Sequence, residues 1–284
     1  MLFFKAVLKH KTVIAITIVS VMIIVYAVKI GVAAYERRLD KSLSIILYHS
    51  VSEDDSKHGE YSVSPEELKR DLLFLKENGY TTVTSKELID YVYSGADFPD
   101  KAVMLTFDDG CYDSLTNAYP LIEKYNMKAV FSVVGEFCDR EESKKDRDNS
   151  SYLNWKEVKE LYQSGIIDIA CHSNSLHTLS GRMGSTINPD ESYSDYRSVF
   201  LSDTNNFIRS AKEKAQVVPE IYTYPYGLIC EESKNLIKTC GFRISLGCEE
   251  RENRITRDES SLFCLGRFNR QSGVSTEDFM KKVF

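Results

Sequence analysis

Two adjacent carboxylates are the first candidates for chemistry in this sequence. Asp108 and Asp109 follow the apolar run 103–107 directly and precede Gly110. Their mutual repulsion is relieved if one carboxylate binds a cation while the other stays free to accept a proton. Taken alone, an Asp-Asp-Gly sequence is also typical of a surface turn. The pair therefore indicates a metal ligand and a base only if other ligands lie nearby.

Two histidines are candidates for those ligands. His172 and His177 follow an apolar run at 166–170, and the chain has only five histidines. Imidazole nitrogen and carboxylate oxygen both bind zinc and related cations. Ligands on one helix face lie three or four residues apart, so a spacing of five indicates binding from a loop. A single histidine is more often a structural hydrogen-bonding residue, and it is the joint occurrence with Asp-Asp that indicates a metal site.

A third segment, residues 224–227 (Tyr-Pro-Tyr-Gly), follows a predicted strand near 220–224. Proline and glycine favour a tight turn in which a backbone N–H can approach a ligand closely. A plain loop is the alternative interpretation.

These segments must be positioned by alternating strands and helices. Strands are predicted at 43–48, 101–107, 129–134, 166–170, 220–224, 242–247 and 261–267, and helices at about 65–78, 85–95, 115–125, 154–165, 191–215, 230–239 and from 276, with 139–150 as a charged surface loop. This alternation indicates an α/β fold in which about seven parallel strands form an irregular barrel. Sites in such folds lie at the carboxyl ends of strands, where all three segments occur.

The three segments resemble the motifs of the polysaccharide deacetylase superfamily (NodB-type, carbohydrate esterase family 4). Residues 106–110 are similar to its first motif, 172–177 to its histidine motif and 224–227 to its groove-wall motif. The histidine spacing and the upstream pair Tyr48-His49 resemble the branch that acts on poly-N-acetylglucosamine. The resemblance implies a distorted (β/α) barrel and hydrolysis of N-acetyl groups on an aminosugar polysaccharide or peptidoglycan.

The resemblance also implies roles for individual residues. A divalent metal would be held by Asp109, His172 and His177, and Asp108 would be the general base. Zinc is the expected ion, with cobalt, nickel and iron as alternatives, because the same ligands suit all four. The residues that bind the substrate along the groove wall would be Tyr224, Pro225 and Tyr226. The backbone N–H of Tyr226 would also contact the oxyanion.

The sequence departs from the family pattern at two positions. Many relatives carry a late Leu-x-His motif, but residues 264–269 contain no histidine. Elimination among the five histidines, together with the branch resemblance, assigns the general acid to His49; a structural histidine is the alternative. The family often has an arginine two residues before the motif proline, where this chain has Thr223. Arg267 is therefore the candidate for tuning Asp108.

The N-terminus predicts a membrane segment. Residues 12–28 carry no charge, and with the apolar residues beyond Lys29 the stretch reaches about 20 residues, enough to span a bilayer. We expect residues 1–40 to be a cytoplasmic tail and single-pass anchor, and 41–284 an extracytoplasmic catalytic domain with its motifs at 101–270. Basic residues on both sides leave the orientation open, and the outward placement follows from the resemblance. A signal peptide cleaved near 32–34, giving a secreted protein, is the alternative.

Charge and cysteine content exclude some functions. Residues 1–40 hold six of the 36 Lys and Arg and two of the 42 Asp and Glu, which leaves 30 basic and 40 acidic residues and a charge of −10 for 41–284. Such a domain is unsuited to nucleic acid but compatible with a neutral glycan. The seven cysteines lack any CxxC pair, so they predict neither a zinc ribbon nor a disulfide scaffold. The sequence indicates no obligate protein partner.

Two other functions fit the same fold. A noncatalytic cell-surface glycan-binding protein is favoured by the missing late histidine and by Thr223, and opposed by the complete set of acids and histidines. An O-acetyl esterase would use the same attack by activated water on a different bond.

Overall fold

The computed structural model describes residues 17–31, 40–142 and 151–284, and divides into two compact units, Met1–Asp40 and Lys41–Phe284. In the first unit, residues 17–31 form helix α1, whose side chains are exposed. Among the described helices, none is both long enough and apolar enough to cross a bilayer. The predicted anchor includes residues outside the described ranges and stays a prediction.

The second unit is built on one curled nine-stranded sheet, with a separate two-stranded sheet formed by residues 50–51 and 62–63. Its strands are β1 (Lys41–Tyr48), β2 (Ser50–Val51), β3 (Ser62–Val63), β4 (Thr81–Thr82), β5 (Ala102–Phe107), β6 (Ala129–Val133), β7 (Ile167–Cys171), β8 (Ile221–Thr223), β9 (Ile244–Leu246), β10 (Asn253–Ile255) and β11 (Phe268–Asn269). The main path runs β10-β1-β5-β6-β7-β8-β9, with β11 beside β1 and β4 beside β5. All pairs on this path are parallel except β1 with β10. The prediction of an α/β fold around seven mostly parallel strands is confirmed.

Helices pack against the sheet, most of them on its outer face, whereas the helix at Ser85–Ser94 contributes its buried residues to the inner side. They are α2 (Pro65–Glu77), α3 (Ser85–Ser94), α4 (Tyr119–Lys124, preceded by a π-helical turn at Ser114–Ala118), α5 (Gly135–Glu141), α6 (Trp155–Gln163), α7 (Tyr193–Ser210), α8 (Glu231–Thr239) and α9 (Thr276–Val283). The predicted capping boxes are present at the start of α2, between Ser64 and Glu67, and of α6, between Asn154 and Glu157. Each satisfies backbone N–H groups that the first helical turn leaves unpaired.

The apolar runs of the strands fill two layers of core. Along β5, Val103 and Leu105 belong to the larger apolar cluster, which also contains residues from α2, α6 and α7. The alternate residue Met104 joins a second cluster with Ile45, Ile244 and other residues of the inner side of the sheet. Because successive side chains of a strand point to opposite faces, a strand buried on both sides reads as a continuous apolar run.

Two predicted elements need correction. The strand expected at 261–267 is instead a 3-10 turn at Glu259–Leu262, a single bridge from Leu265 to Leu246, and the short strand β11. The chain bends at residues 263–264, and at Gly266 a Cβ would lie 2.4 Å from the Glu249 carbonyl oxygen, so the backbone of Gly266 packs directly against that of Glu249. The loop expected at 139–150 is helical as far as Glu141, because α5 buries Cys138 and Glu141; residues 143–150 lie outside the described ranges.

Candidate active site at the carboxyl ends of the strands

The paired carboxylates lie where β5 ends. The Asp108 backbone N–H donates to the Tyr48 carbonyl at 2.9 Å, which extends the pairing of β5 with β1. Asp109 and Gly110 then both adopt left-handed backbone conformations, each with φ +69°. A Cβ on Gly110 would lie 3.0 Å from Val133 Cγ1, so glycine is needed there for space as well as for φ. This turn leaves Asp108 buried and exposes a quarter of the Asp109 side chain.

The two histidines lie on a loop after β7, which is separated from β5 by β6. The His172 N–H donates to the Val133 carbonyl at 3.0 Å, and Ser173 has φ +68°. A buried carboxylate on α7, Asp203, holds the loop by accepting hydrogen bonds from the N–H groups of Asn174 at 2.9 Å and Ser175 at 2.7 Å. Asp203 was not among the functional residues predicted from the sequence. The sequence pattern that could have identified Asp203 is its spacing: it lies three residues after Phe200 and four before Phe207, on the apolar face of a predicted helix.

The structure brings the three predicted metal ligands together. Asp109, His172 and His177 each offer one ligand atom, and these atoms lie within 4.8 Å of one another. Asp109 Oδ1 is 3.5 Å from His172 Nε2 and 3.1 Å from His177 Nε2. Both histidines use Nδ1 elsewhere, His172 on the Thr223 carbonyl at 2.8 Å and His177 on the Tyr226 hydroxyl at 3.2 Å.

This donor set fits a divalent cation. Histidines that bind metals coordinate through one ring nitrogen while the other bonds to a neighbouring acceptor, and both imidazoles have that arrangement here. Burial tends to raise the pKa of Asp109, but the contacts with His172 and His177 outweigh burial and lower it, so the carboxylate is ionised. An ionised carboxylate and two imidazoles leave coordination positions for solvent and substrate.

Asp108 is paired with a buried arginine. Arg267 Nη1 and Nη2 donate to the two Asp108 oxygens, each at 2.8 Å, and Arg267 Nε donates to the Gly247 carbonyl at 2.7 Å. Burial tends to raise the pKa of Asp108, yet the charge of Arg267 outweighs it and holds the pKa below its ordinary value. The structure thus places Arg267 on the carboxylate that the sequence analysis expected it to tune. Asp108 Oδ2 lies 3.9 Å from His172 Nε2, beside the ligand cluster.

His49 lies at the end of β1 and lines the same cleft as the two aspartates. Its ring makes an edge contact with Tyr61, with centroids 5.0 Å apart. Burial lowers the pKa of His49, and the charges of Asp108 and Asp109 partly oppose this. Among the described residues, none forms a hydrogen bond with the buried His49 Nδ1. Its position allows contact with a substrate, and its role stays a prediction.

The Tyr-Pro-Tyr-Gly segment forms a turn at the end of β8, and its three predicted site residues differ in position. Tyr226 is 43% exposed, lines the cleft and has a backbone φ of +57°. Tyr224 is fully buried in the core, Pro225 is also buried, and neither lines the cleft. The expectation that Tyr224 and Pro225 contact substrate is therefore corrected: a residue beside an exposed turn residue need not itself be exposed.

These residues surround a cleft of about 730 Å³. A volume of this size is typical of small-molecule binding sites. Residues from several separate segments, most of them polar or aromatic, line it: Leu47, His49, Glu60, Tyr61, Asp108, Asp109, His172, His177, Leu179, Tyr226, Cys248, Glu250, Asn269, Gln271 and Lys282.

Comparison with known proteins identifies the family. The family model described as polysaccharide deacetylase matches residues 95–245, more than half of the chain and including the segments after β5, β7 and β8. The chain belongs to the polysaccharide deacetylase family. Its curated relatives include proteins named poly-beta-1,6-N-acetyl-D-glucosamine N-deacetylase. The Staphylococcus aureus protein is 28% identical over 212 residues, which are 74% of this chain and 68% of that protein.

The protein of the same name from Escherichia coli is 26% identical over 215 residues, covering 67% of this chain and 32% of the relative. The chain thus spans about a third of the length of that deacetylase. Among solved structures, a de-N-acetylase from Aggregatibacter actinomycetemcomitans is similar over 86% of this chain and 100% of that one, with a TM-score of 0.72 and 25% identity. IcaB from Ammonifex degensii shares the fold, with a TM-score of 0.68 and 23% identity over 85% of this chain and 95% of that one.

The position of Asp203 leads to a first prediction. Replacing Asp203 with alanine removes the acceptor that holds the loop between the two histidines, and hydrogen bonds to a charged group contribute about 1.5–3 kcal/mol each. We expect a lower free energy of unfolding and, because the histidines are less well positioned, Zn²⁺ affinity reduced about tenfold or more. Chelator competition and urea unfolding measure the two effects. Asn205→Ala, at an exposed position of the same helix, should change neither; equal effects of both variants would contradict the assignment.

Proposed function

We propose that this protein is a metal-dependent hydrolase that removes N-acetyl groups from N-acetylglucosamine-type residues of a cell-surface polysaccharide or peptidoglycan. The observation that carries the proposal is the convergence of Asp109, His172 and His177 in one cleft, with Asp108 beside them. A glycan-binding protein without catalysis has no need of a buried, arginine-paired carboxylate next to a ligand set.

Each residue then has a chemical task. Asp109, His172 and His177 would hold the divalent ion, which supplies Lewis acidity and acidifies water. Asp108 accepts the proton of the attacking water, since its carboxylate is ionised and adjacent to the ligand cluster. Arg267 holds that carboxylate in a fixed orientation through two parallel hydrogen bonds, the arrangement that a guanidinium gives best.

The cleft also offers groups for the acyl oxygen and the departing amine. The left-handed backbone of Tyr226 turns this residue toward the cleft, and we assign its N–H to the acyl oxygen as charge develops there. His49 also lines the cleft and would protonate the amine. An amine leaves an amide only once it is protonated, so an acid matters more for amides than for esters.

This difference predicts the behaviour of His49→Ala. Hydrolysis of N-acetyl groups should fall by about 10²–10⁴, the usual contribution of a general acid, whereas hydrolysis of 4-nitrophenyl acetate should fall less than about tenfold. The two rates are measured on the same metal-loaded preparation. His58→Ala, in the loop before β3, serves as control and should leave both rates unchanged. Equal losses of the two activities in His49→Ala would exclude His49 as the acid and restore the O-acetyl esterase as a candidate.

The proposed substrate class and cellular location are supported by the relatives' names and by the charge and hydropathy of the sequence. The names of the relatives favour a poly-N-acetylglucosamine, and the excess of acidic residues in 41–284 favours a polymer without strong negative charge. We place the protein in the cell membrane with its catalytic domain outside, because residues 12–28 are uncharged and because such polymers lie outside the cell. Alkaline phosphatase fusions after residue 40 would test this placement.

The function itself is tested by acetate release. The protein should release acetate from β-1,6-linked N-acetylglucosamine oligomers, lose this activity after dialysis against a chelator, and regain it with Zn²⁺, Co²⁺ or Ni²⁺. Intact binding of oligomers without acetate release, with metal bound, would establish the noncatalytic alternative instead.

A further inference from the structure

The two histidines of the cluster are held in unequal ways. His172 Nδ1 lies 2.8 Å from the carbonyl oxygen of Thr223, a backbone acceptor in the buried end of β8. His177 Nδ1 lies 3.2 Å from the hydroxyl of Tyr226, a side chain that is 43% exposed in the cleft. One imidazole is thus oriented by the core, and the other by a single hydroxyl at the surface.

The chemistry of imidazole fixes the direction of the second contact. His177 Nε2 faces Asp109 Oδ1 at 3.1 Å, so this nitrogen must offer its lone pair if the imidazole is to bind a cation there. The neutral ring then carries its proton on Nδ1. The Nδ1–H must donate, and the Tyr226 hydroxyl oxygen is the acceptor that the structure places within reach. A phenylalanine ring at this position could not accept that hydrogen bond.

The surroundings hold the tyrosine ring where this contact is made. The rings of Tyr226 and His177 lie 4.5 Å apart between centroids with an interplanar angle of 33°, and the ring of Phe137 makes an edge contact with His177 at 5.6 Å. The left-handed turn continues into Gly227, where a Cβ would lie 2.6 Å from Cys248 Cβ. A non-glycine residue in the left-handed conformation costs about 1–2 kcal/mol of conformational free energy. The tight packing of this turn against Cys248, just after β9, compensates for that cost.

We infer that the Tyr226 hydroxyl is a positioning group for the metal site: it accepts the Nδ1–H of His177 and thereby selects the tautomer and ring orientation that present Nε2 to the cation. This role is separate from the one that we assign to the backbone N–H of the same residue. The inference rests on the proposed function only in that the cluster binds a divalent ion. Partners of metal-bound histidines commonly change metal affinity about 10–100-fold when removed.

The test is Tyr226→Phe, which removes one oxygen atom and keeps the ring and the backbone N–H. Zn²⁺ affinity is measured on the full chain by competition with a chromogenic chelator, independently of turnover. We expect affinity to fall about 10–100-fold. The Co²⁺-loaded protein should show a changed visible absorption spectrum, because the ligand geometry changes. Tyr162→Phe, which alters an exposed tyrosine at the opposite end of the barrel, should leave affinity and spectrum unchanged.

A double-mutant cycle shows whether the hydroxyl acts through His177. In a His177→Ala background the residual Zn²⁺ affinity should be the same with and without the Tyr226→Phe substitution, since the group that the hydroxyl orients is absent. An affinity of Tyr226→Phe within twofold of the unaltered protein, or the same loss in both backgrounds, would overturn the inference. If the unaltered protein binds no Zn²⁺, the proposed function itself is wrong. If the unaltered protein and Tyr226→Phe bind Zn²⁺ with equal affinity, only the role of the Tyr226 hydroxyl is wrong.

Discussion

Replacing Asp108 with asparagine is expected to reduce acetate release by about 10²–10⁴ while Zn²⁺ binding persists. Asparagine keeps the size of the side chain but cannot take a proton from water. The three ligand atoms come from Asp109, His172 and His177, so the cluster itself is unaltered. Acetate is measured enzymatically at saturating Zn²⁺, and bound zinc is measured on the same sample.

Stability needs a control in this experiment, because Asp108→Asn leaves the buried Arg267 without its counter-charge. The thermal unfolding midpoint must therefore remain above the assay temperature for the comparison to stand. Asp97→Asn, an exposed position with no assigned role, gives the matched reference for activity. Full activity of a folded Asp108→Asn protein would remove Asp108 from the mechanism and leave the choice of base open.

Replacing Arg267 with methionine should have the largest effect on stability. Arg267 is fully buried, and Asp108 would be left as a buried carboxylate without a partner. Breaking a buried ion pair by removing one member typically costs about 3–5 kcal/mol. Urea unfolding at fixed Zn²⁺ measures the change, and Arg70→Met, at an exposed position of α2, is the control.

The same variant should also change the pH dependence of catalysis. Arg267 keeps the pKa of Asp108 below its ordinary value, whereas burial alone would raise it. Without the guanidinium the pKa rises, so a higher pH is needed to ionise the base, and the acid limb of kcat/KM moves upward. The double variant Asp108→Asn with Arg267→Met should lose less stability than the two single losses added together. Additive losses, or an unmoved acid limb, would show that the pair does not act as a unit.

Much of the fold was predictable because its signals are local. Continuous apolar runs identified β1, β5, β6 and β7, and capping residues identified the starts of α2 and α6. The failures have local causes as well. Cys264 with φ +56° and the close backbone approach at Gly266 break the expected strand at 261–267. An apolar run indicates burial, but burial alone does not make the backbone extended.

The sequence by itself determined which residues follow each strand, and hence that acids, histidines and the Tyr-Pro-Tyr-Gly turn meet at one end of the sheet. Parallel strands all end on the same side, so order along the chain is enough for that conclusion. Only the tertiary structure decided which side chains hold the acids and histidines in position. Arg267 contacts Asp108, a carboxylate 159 residues earlier, and Asp203 on α7 binds the histidine loop. The Tyr226 hydroxyl contacts His177. Such contacts depend on how segments that are distant in the sequence pack together across the sheet. Periodic patterns along the chain give no information about that packing.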